Sequence, residues 1–154
     1  MSAVPRGKAL LWAIAGLSLA GVAIALATQH GLGMEPCPWC ILQRLIFVVI
    51  ALAALLGLLL GRVFAALLVM ALSLAGIAAA LWQHFVAAAS DSCKLTLAEK
   101  IISGLGLDGS LPEIFQPRAS CADAAVKLLG VPYEFWSLAL FVLLGLLALR
   151  LLRP

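Results

Sequence analysis

The sequence predicts an all-α integral membrane protein: a four-transmembrane-helix bundle with two outer loops, the second long and carrying short amphipathic helices. Three observations carry this expectation. Of 154 residues, 65% are hydrophobic and only 11% are charged, too little polar surface for a soluble domain of this length. Four apolar runs, at 9–27, 41–61, 63–82 and 133–149, each approach the ~20 residues that cross ~30 Å of hydrocarbon. Between the third and fourth lies a polar stretch, 83–132, that no span can absorb. Helices satisfy their own backbone in lipid, so one membrane domain over 1–154 is expected, with outer loops at 28–40 and 83–132.

The first run follows Arg6 and Lys8 and ends near Ala25-Leu26-Ala27, a pattern that also suits a cleavable signal peptide. Its length exceeds the apolar core of such peptides, and Trp12 near its start suits an interfacial anchor, so a retained span is expected. Gly16, Ala20 and Gly21 here, with Gly76 and Ala80 in the third run, are expected to serve close helix packing.

Charge sets the orientation. Arg6 and Lys8 precede the first span, Arg62 separates the second and third, and Arg150 and Arg153 follow the fourth. Every acid falls on the other side: Glu35, Asp91, Glu99, Asp108, Glu113 and Asp123 in the other two loops, and Glu134 where the second of these meets the fourth run. Both termini are therefore expected in the cytoplasm. The net charge of +3 is a topology signal and not a nucleic-acid surface.

The long loop carries capping patterns. Thr96-Leu97-Ala98-Glu99 opens a short helix whose Leu97, Ile101, Ile102 and Leu105 share one face, ending at Gly104 and Gly106. It is expected to lie on the membrane surface. Ser110-Leu111-Pro112-Glu113 repeats the pattern for one more turn. Ser120-Cys121-Ala122-Asp123 predicts a third helix running to Gly130 before Pro132, with Cys121 in a first turn that favours a thiolate.

All four cysteines lie in the outer loops, as Cys37 and Cys40 in one and Cys93 and Cys121 in the other. Outside the inner membrane the compartment is oxidising, and pairing within each loop, Cys37 with Cys40 and Cys93 with Cys121, is the expected one of three. Pro38 suits an early helical position, so Cys37 falls near a cap and Cys40 in the first turn. The tiny loop that this pair closes makes a poor staple, which points to exchange chemistry. Four thiolates could instead bind a metal, but the oxidising compartment and the separate positions argue against that. A c-type haem would need His where Ile41 stands.

Arg44 is one turn beyond Cys40 and shares its face. An arginine inside an apolar run is costly and marks a functional site, although its shallow depth also permits snorkelling to the headgroups. His84, after Trp82 at the outer end of the third run, meets the same membrane surface. It could be an interfacial residue or a hydrogen-bond donor to a carbonyl cofactor. His30 is read as structural.

Taken together, Cys37-Pro38-Trp39-Cys40 followed by Arg44, Trp82-Gln83-His84, and the later pair Cys93 and Cys121 resemble the disulfide bond formation protein B (DsbB) family. The tail from Cys121-Ala122-Asp123 through Leu129-Gly130-Val131-Pro132 to Trp136 resembles it too, so the likeness covers essentially the whole chain. The resemblance implies a quinone-dependent thiol oxidoreductase of the bacterial inner membrane, using ubiquinone or menaquinone. Its partner would be a DsbA-like periplasmic oxidase of thioredoxin fold. By the same resemblance, Cys93 takes the mixed disulfide, Cys121 pairs with it and relays to Cys37, and Cys40 reduces the quinone. Arg44 would stabilise the developing negative charge, and His84 would help to hold the ring. Two other readings stand beside it. One is a vitamin K epoxide reductase-like protein, whose active pair usually lies near the end of a later span. The other is a non-enzymatic membrane scaffold braced by structural disulfides.

Overall fold

A computed structural model describes residues 6–89 and 97–153. Cys93, and the Thr96 that would cap the first loop helix, lie outside the described residues. Three long helices come first: α1 (Arg6–Leu32), α2 (Pro38–Leu60) and α3 (Arg62–Trp82), the last continuing into a π-helical turn at Gln83–Ala87. The long loop supplies α4 (Leu97–Gly104), α5 (Leu107–Ser110), α6 (Pro112–Phe115) and a hairpin of β1 (Lys127–Leu128) and β2 (Val131–Pro132). The fourth long helix, α7 (Tyr133–Leu152), closes the chain.

Among the described residues, four helices are long and apolar enough to cross a membrane. They pack in a ring, α1 against α2, α2 against α3, α3 against α7, and α7 back against α1. At its outer end α1 overruns its apolar run, and polar side chains there bond backward along the helix. Thr28 donates to Ala25 O at 3.0 Å and His30 Nδ1 to Leu26 O at 2.9 Å, which carries α1 to Leu32. Pro38, preorganised for a first helical turn, starts α2 three residues before the apolar run does.

Small residues set the packing, though not all those expected. Gly76 lies flat against the Phe141 ring, which in turn stacks on Phe47 with centroids 4.1 Å apart and planes within 7°. Gly57 lets α2 approach Ala65 of α3, next to the inner turn, where Gly61 takes a φ of 108° that a side chain would strain. Gly21 meets Leu140, and Ala80 is buried. Gly16 and Ala20, by contrast, are exposed on the outside of α1, and a Cβ on Gly16 would meet nothing. Lipid is as apolar as a neighbouring helix, so sequence cannot tell a small residue facing one from a small residue facing the other.

The outer loop departs from expectation in two places. Ser110 ends α5, and Leu111 is the N-cap of α6, without a side-chain cap. The helix expected from Cys121 to Gly130 is absent. Ser120 and Asp123 close a single turn instead, the Ser120 hydroxyl donating to the Asp123 carboxylate at 2.5 Å and accepting from its N–H at 3.1 Å. The chain then reverses through Leu129 (φ 53°) and Gly130 (φ 81°), the two positive values that a tight hairpin turn demands. Tyr133 N–H to Val126 O at 3.0 Å, and Trp136 Nε1 to Leu128 O at 3.3 Å, tie the hairpin to α7. The first loop helix does form. Its Ala98 and Ile102 are buried, and it packs on α2, while Leu97, Ile101 and Leu105 remain on the outside.

Candidate redox site

The site is assembled where α2 begins. Cys37 is the N-cap of α2, and its sulfur accepts the Cys40 N–H at 3.3 Å. One turn brings the two sulfurs to 2.9 Å. Both are free thiols in the structure, Cys37 fully buried and Cys40 half-buried. The third described thiol, Cys121, is also buried and lies within hydrogen-bonding reach of Cys37. Those bonds, to Cys121 first and then Cys40, push the Cys37 thiol up, and burial adds to the effect.

Cys121 reaches Cys37 because the two outer loops are stitched together. The N–H groups of Arg118 and Ala119 both donate to Pro36 O, at 3.0 and 3.3 Å. The segment leading to Cys121 therefore crosses directly over the residue before Cys37. The helix-borne thiol expected from sequence is instead a packed one in a turn, only 1% exposed.

Arg44 is 5% exposed, which excludes snorkelling. It donates to Gln29 Oε1 at 2.6 Å, Ala25 O at 3.3 Å and Ile114 O at 3.2 Å, joining α1, α2 and α6. Gln83, in the π-helical turn, donates to Cys40 Sγ at 3.2 Å and accepts from Gln43 Nε2 at 2.7 Å. The next residue, His84, contacts Glu134 Oε1 through Nδ1 at 2.6 Å and packs on Phe85 and Phe135. His30 is exposed and reaches Glu113, which Arg118 also holds. The bond from His30, with the Arg118 guanidinium nearby, keeps the Glu113 carboxyl below the usual carboxylate range.

A cavity of about 260 Å³ opens beside the outer thiol, between α1 and α7 with α2 behind it. Cys40, Gln43, Arg44 and Gln83 line it together with Tyr133 and Glu134. Gly21, Ile24, Phe47 and Leu140 supply its apolar wall, and the hairpin residues Leu128 and Leu129 edge it. Of the residues singled out from sequence, Cys40 and Arg44 line this cavity, Cys37 and Cys121 stand behind Cys40, and His84 stands behind Glu134. Gln29, Gln43, Gln83, Tyr133 and Glu134 were not foreseen as site residues. The signal that could have found the three glutamines is the one that found Arg44: a polar side chain at the edge of an apolar run needs a partner.

The family profile described as Disulfide bond formation protein DsbB matches residues 7–151. The chain belongs to the DsbB family. Among its relatives, Disulfide bond formation protein B of Pseudomonas syringae pv. tomato is 36% identical over 148 residues, covering 92% of this chain and 87% of the relative. Disulfide bond formation protein B 2 of Pseudomonas aeruginosa is 37% identical over 151 residues, covering 90% and 86%. That of Aromatoleum aromaticum is 35% identical over 136 residues, covering 82% and 81%. This DsbB-family protein is thus a multi-pass inner-membrane oxidoreductase of disulfide bond formation, from a family that is quinone-dependent. The scaffold and vitamin K epoxide reductase-like readings give way to that membership.

Proposed function

We propose that this DsbB-family chain re-oxidises a DsbA-like periplasmic dithiol protein through a four-cysteine relay that ends at the cavity beside Cys40. Cys93 forms the mixed disulfide with the partner. Cys121 is its resolving and relay thiol, Cys37 receives the bond from Cys121, and Cys40 faces the acceptor. The single observation that carries this reading is the position of Cys37, within reach of Cys121 on one side and 2.9 Å from Cys40 on the other. A thiol that touches two others can exchange with each in turn without a large movement of the chain.

The cavity residues fit a quinone headgroup. Their donor set combines the Arg44 guanidinium with Gln43 and the Tyr133 hydroxyl, set in an apolar wall. Glu134 Oε2 is buried there with no hydrogen-bond partner among the described residues. A membrane quinone bound there supplies a two-electron acceptor, ubiquinone or menaquinone. Arg44, fixed by its bonds to Gln29, Ala25 and Ile114, places a cation against the charge that develops during electron transfer. Gln83 donates to the Cys40 sulfur and favours charge on it. Both chain termini are assigned to the cytoplasm, opposite the thiols, from the distribution of Arg and Lys.

Trapping tests the relay. Cys121→Ser leaves the partner's attack on Cys93 unresolved, so a mixed disulfide with a reduced thioredoxin-fold partner should accumulate. If the same adduct forms equally in Cys93→Ser, Cys93 is not the entry thiol.

A further inference from the structure

Glu134 is the least explained group in the bundle. It is the first-turn acid of α7, where a carboxylate could simply oppose the helix dipole, or staple α7 to the end of α3 through His84. Neither role accounts for its second oxygen. The residue is 4% exposed, Oε1 meets His84 Nδ1 at 2.6 Å, and Oε2 has no partner among the described residues. Glu134 also lines the cavity that holds Cys40 and Arg44. A buried, unpartnered carboxyl oxygen is costly unless it is protonated or meets a ligand. On the other side of the pair, the His84 side chain keeps 31% of its surface exposed at the outer end of the third span, so the pair reaches from the cavity to the surface of the bundle.

We propose that Glu134 is a proton donor to the acceptor in this cavity, and that His84 reloads it from the outer aqueous face. The inference rests on the quinone-reducing reading above and adds the route by which protons arrive. Closing the Cys37–Cys40 disulfide breaks two S–H bonds, makes one S–S bond, and releases two electrons and two protons. Reduction of one quinone to one quinol consumes the same numbers. In the proposed route, one thiol proton is delivered from the Cys40 side of the cavity and the other leaves to water. Glu134 Oε2–H gives the remaining proton to a carbonyl oxygen. His84 then passes its Nδ1 proton to Oε1 and takes another from water at Nε2, so uptake balances release. A half-turn of the carboxyl returns the proton to the cavity side. The other titratable or charged groups facing the cavity are Cys40 and Arg44 on α2 and Tyr133 on α7, whereas α1 contributes none. Tyr133 bonds the Thr28 hydroxyl at 2.9 Å and Arg44 is held by three acceptors, which leaves Glu134 as the acid with a free oxygen and a way out.

The deciding variant is Glu134→Gln, whose amide oxygen can still accept from His84 Nδ1 while the proton is gone. His84→Asn likewise keeps an N–H near Nδ1 but cannot relay. With detergent-solubilised full-length protein and a short-chain benzoquinone, E134Q should slow single-turnover quinone reduction by about 100-fold, the range expected for a lost general acid. H84N should slow it less. Quinone affinity, read by tryptophan quenching, and the thermal midpoint should both stay at the parent values. A carboxylic-acid band should appear in the reduced-minus-oxidised infrared difference spectrum of the parent and be missing in E134Q. An unchanged quinone step in E134Q, or identical infrared spectra, would overturn the proton role and leave the relay standing. If the parent protein passes no electrons to the quinone, the proposed function itself fails and this inference with it.

Discussion

Arg44 donates to Gln29 Oε1 at 2.6 Å, and both side chains are buried. This bond joins α1 to α2 at the level of the cavity, and the same guanidinium holds Ile114 O of the outer loop at 3.2 Å. The residue is therefore an anchor of the loop as well as the cation of the site.

Arg44→Met should accordingly do two things. It removes the charge beside Cys40, and it strands Gln29 Oε1 and the Ile114 carbonyl, while Ala25 O keeps the Thr28 hydroxyl. Losing such charged hydrogen bonds costs on the order of 2 kcal/mol. We expect slower quinone reduction, together with faster hydrogen exchange in residues 112–119. Arg44→Lys keeps the charge but not the planar fork, and should show the same changes at smaller amplitude. Unaltered exchange in R44M would show that the loop is held elsewhere.

Gln83→Leu tests the link from α3 to the outer thiol. The substitution withdraws the N–H from Cys40 Sγ and leaves the Gln43 amide without its acceptor. Alkylation of Cys40 in the reduced protein should slow by about 3- to 10-fold, because the thiolate is the reactive form and has lost a stabilising donor. An equal rate in parent and variant would assign Gln83 to packing alone.

Glu113 ties α6 to His30 and Arg118, and its carboxyl lies below the usual range. A depressed folded pKa gives a contribution that is fully present above the unfolded carboxylate value and is lost as pH falls through the lowered one. The group is exposed, so the effect is small and screened by salt. Protection of the α6 amides should fall under acid conditions in the parent. Glu113→Gln should lower it already near neutral pH and flatten the acid response. A parent profile that matches E113Q throughout would remove the latch.

Gly76→Val tests the packing. A side chain there collides with Phe141 and must displace its stack on Phe47. Overpacking of this kind costs about 1–3 kcal/mol, so the thermal midpoint in detergent should drop. Gly16→Val, on the open face of α1, should leave it unchanged. Equal drops would mean that helix propensity, and not contact, sets the loss.

The bundle was legible in the sequence because a bilayer demands long apolar runs, and nothing else in the chain imitates them. The start of α2 was legible for a similar reason: Cys37, Pro38 and Cys40 each have a fixed place in a helical first turn. Gln29 and Gln83 were not, since their partners lie 15 and 40–43 residues away and only the packed bundle brings them together. The segment after Cys121 misled in another way. Ser120 and Asp123 signal a helix start and do form a cap-like turn, but tertiary contacts to Pro36 and α7 draw residues 127–132 into a hairpin.

The central claim is that Cys121 and Cys37 exchange directly, and a double variant isolates that contact. In Cys40→Ser/Cys93→Ser only Cys37 and Cys121 retain thiols. Mild oxidation of this protein at high dilution, followed by peptide mapping without reductant, should yield one intramolecular Cys37–Cys121 disulfide. If both thiols stay free, or link only between molecules, the two loops do not meet at Cys37, and the proposed relay is wrong.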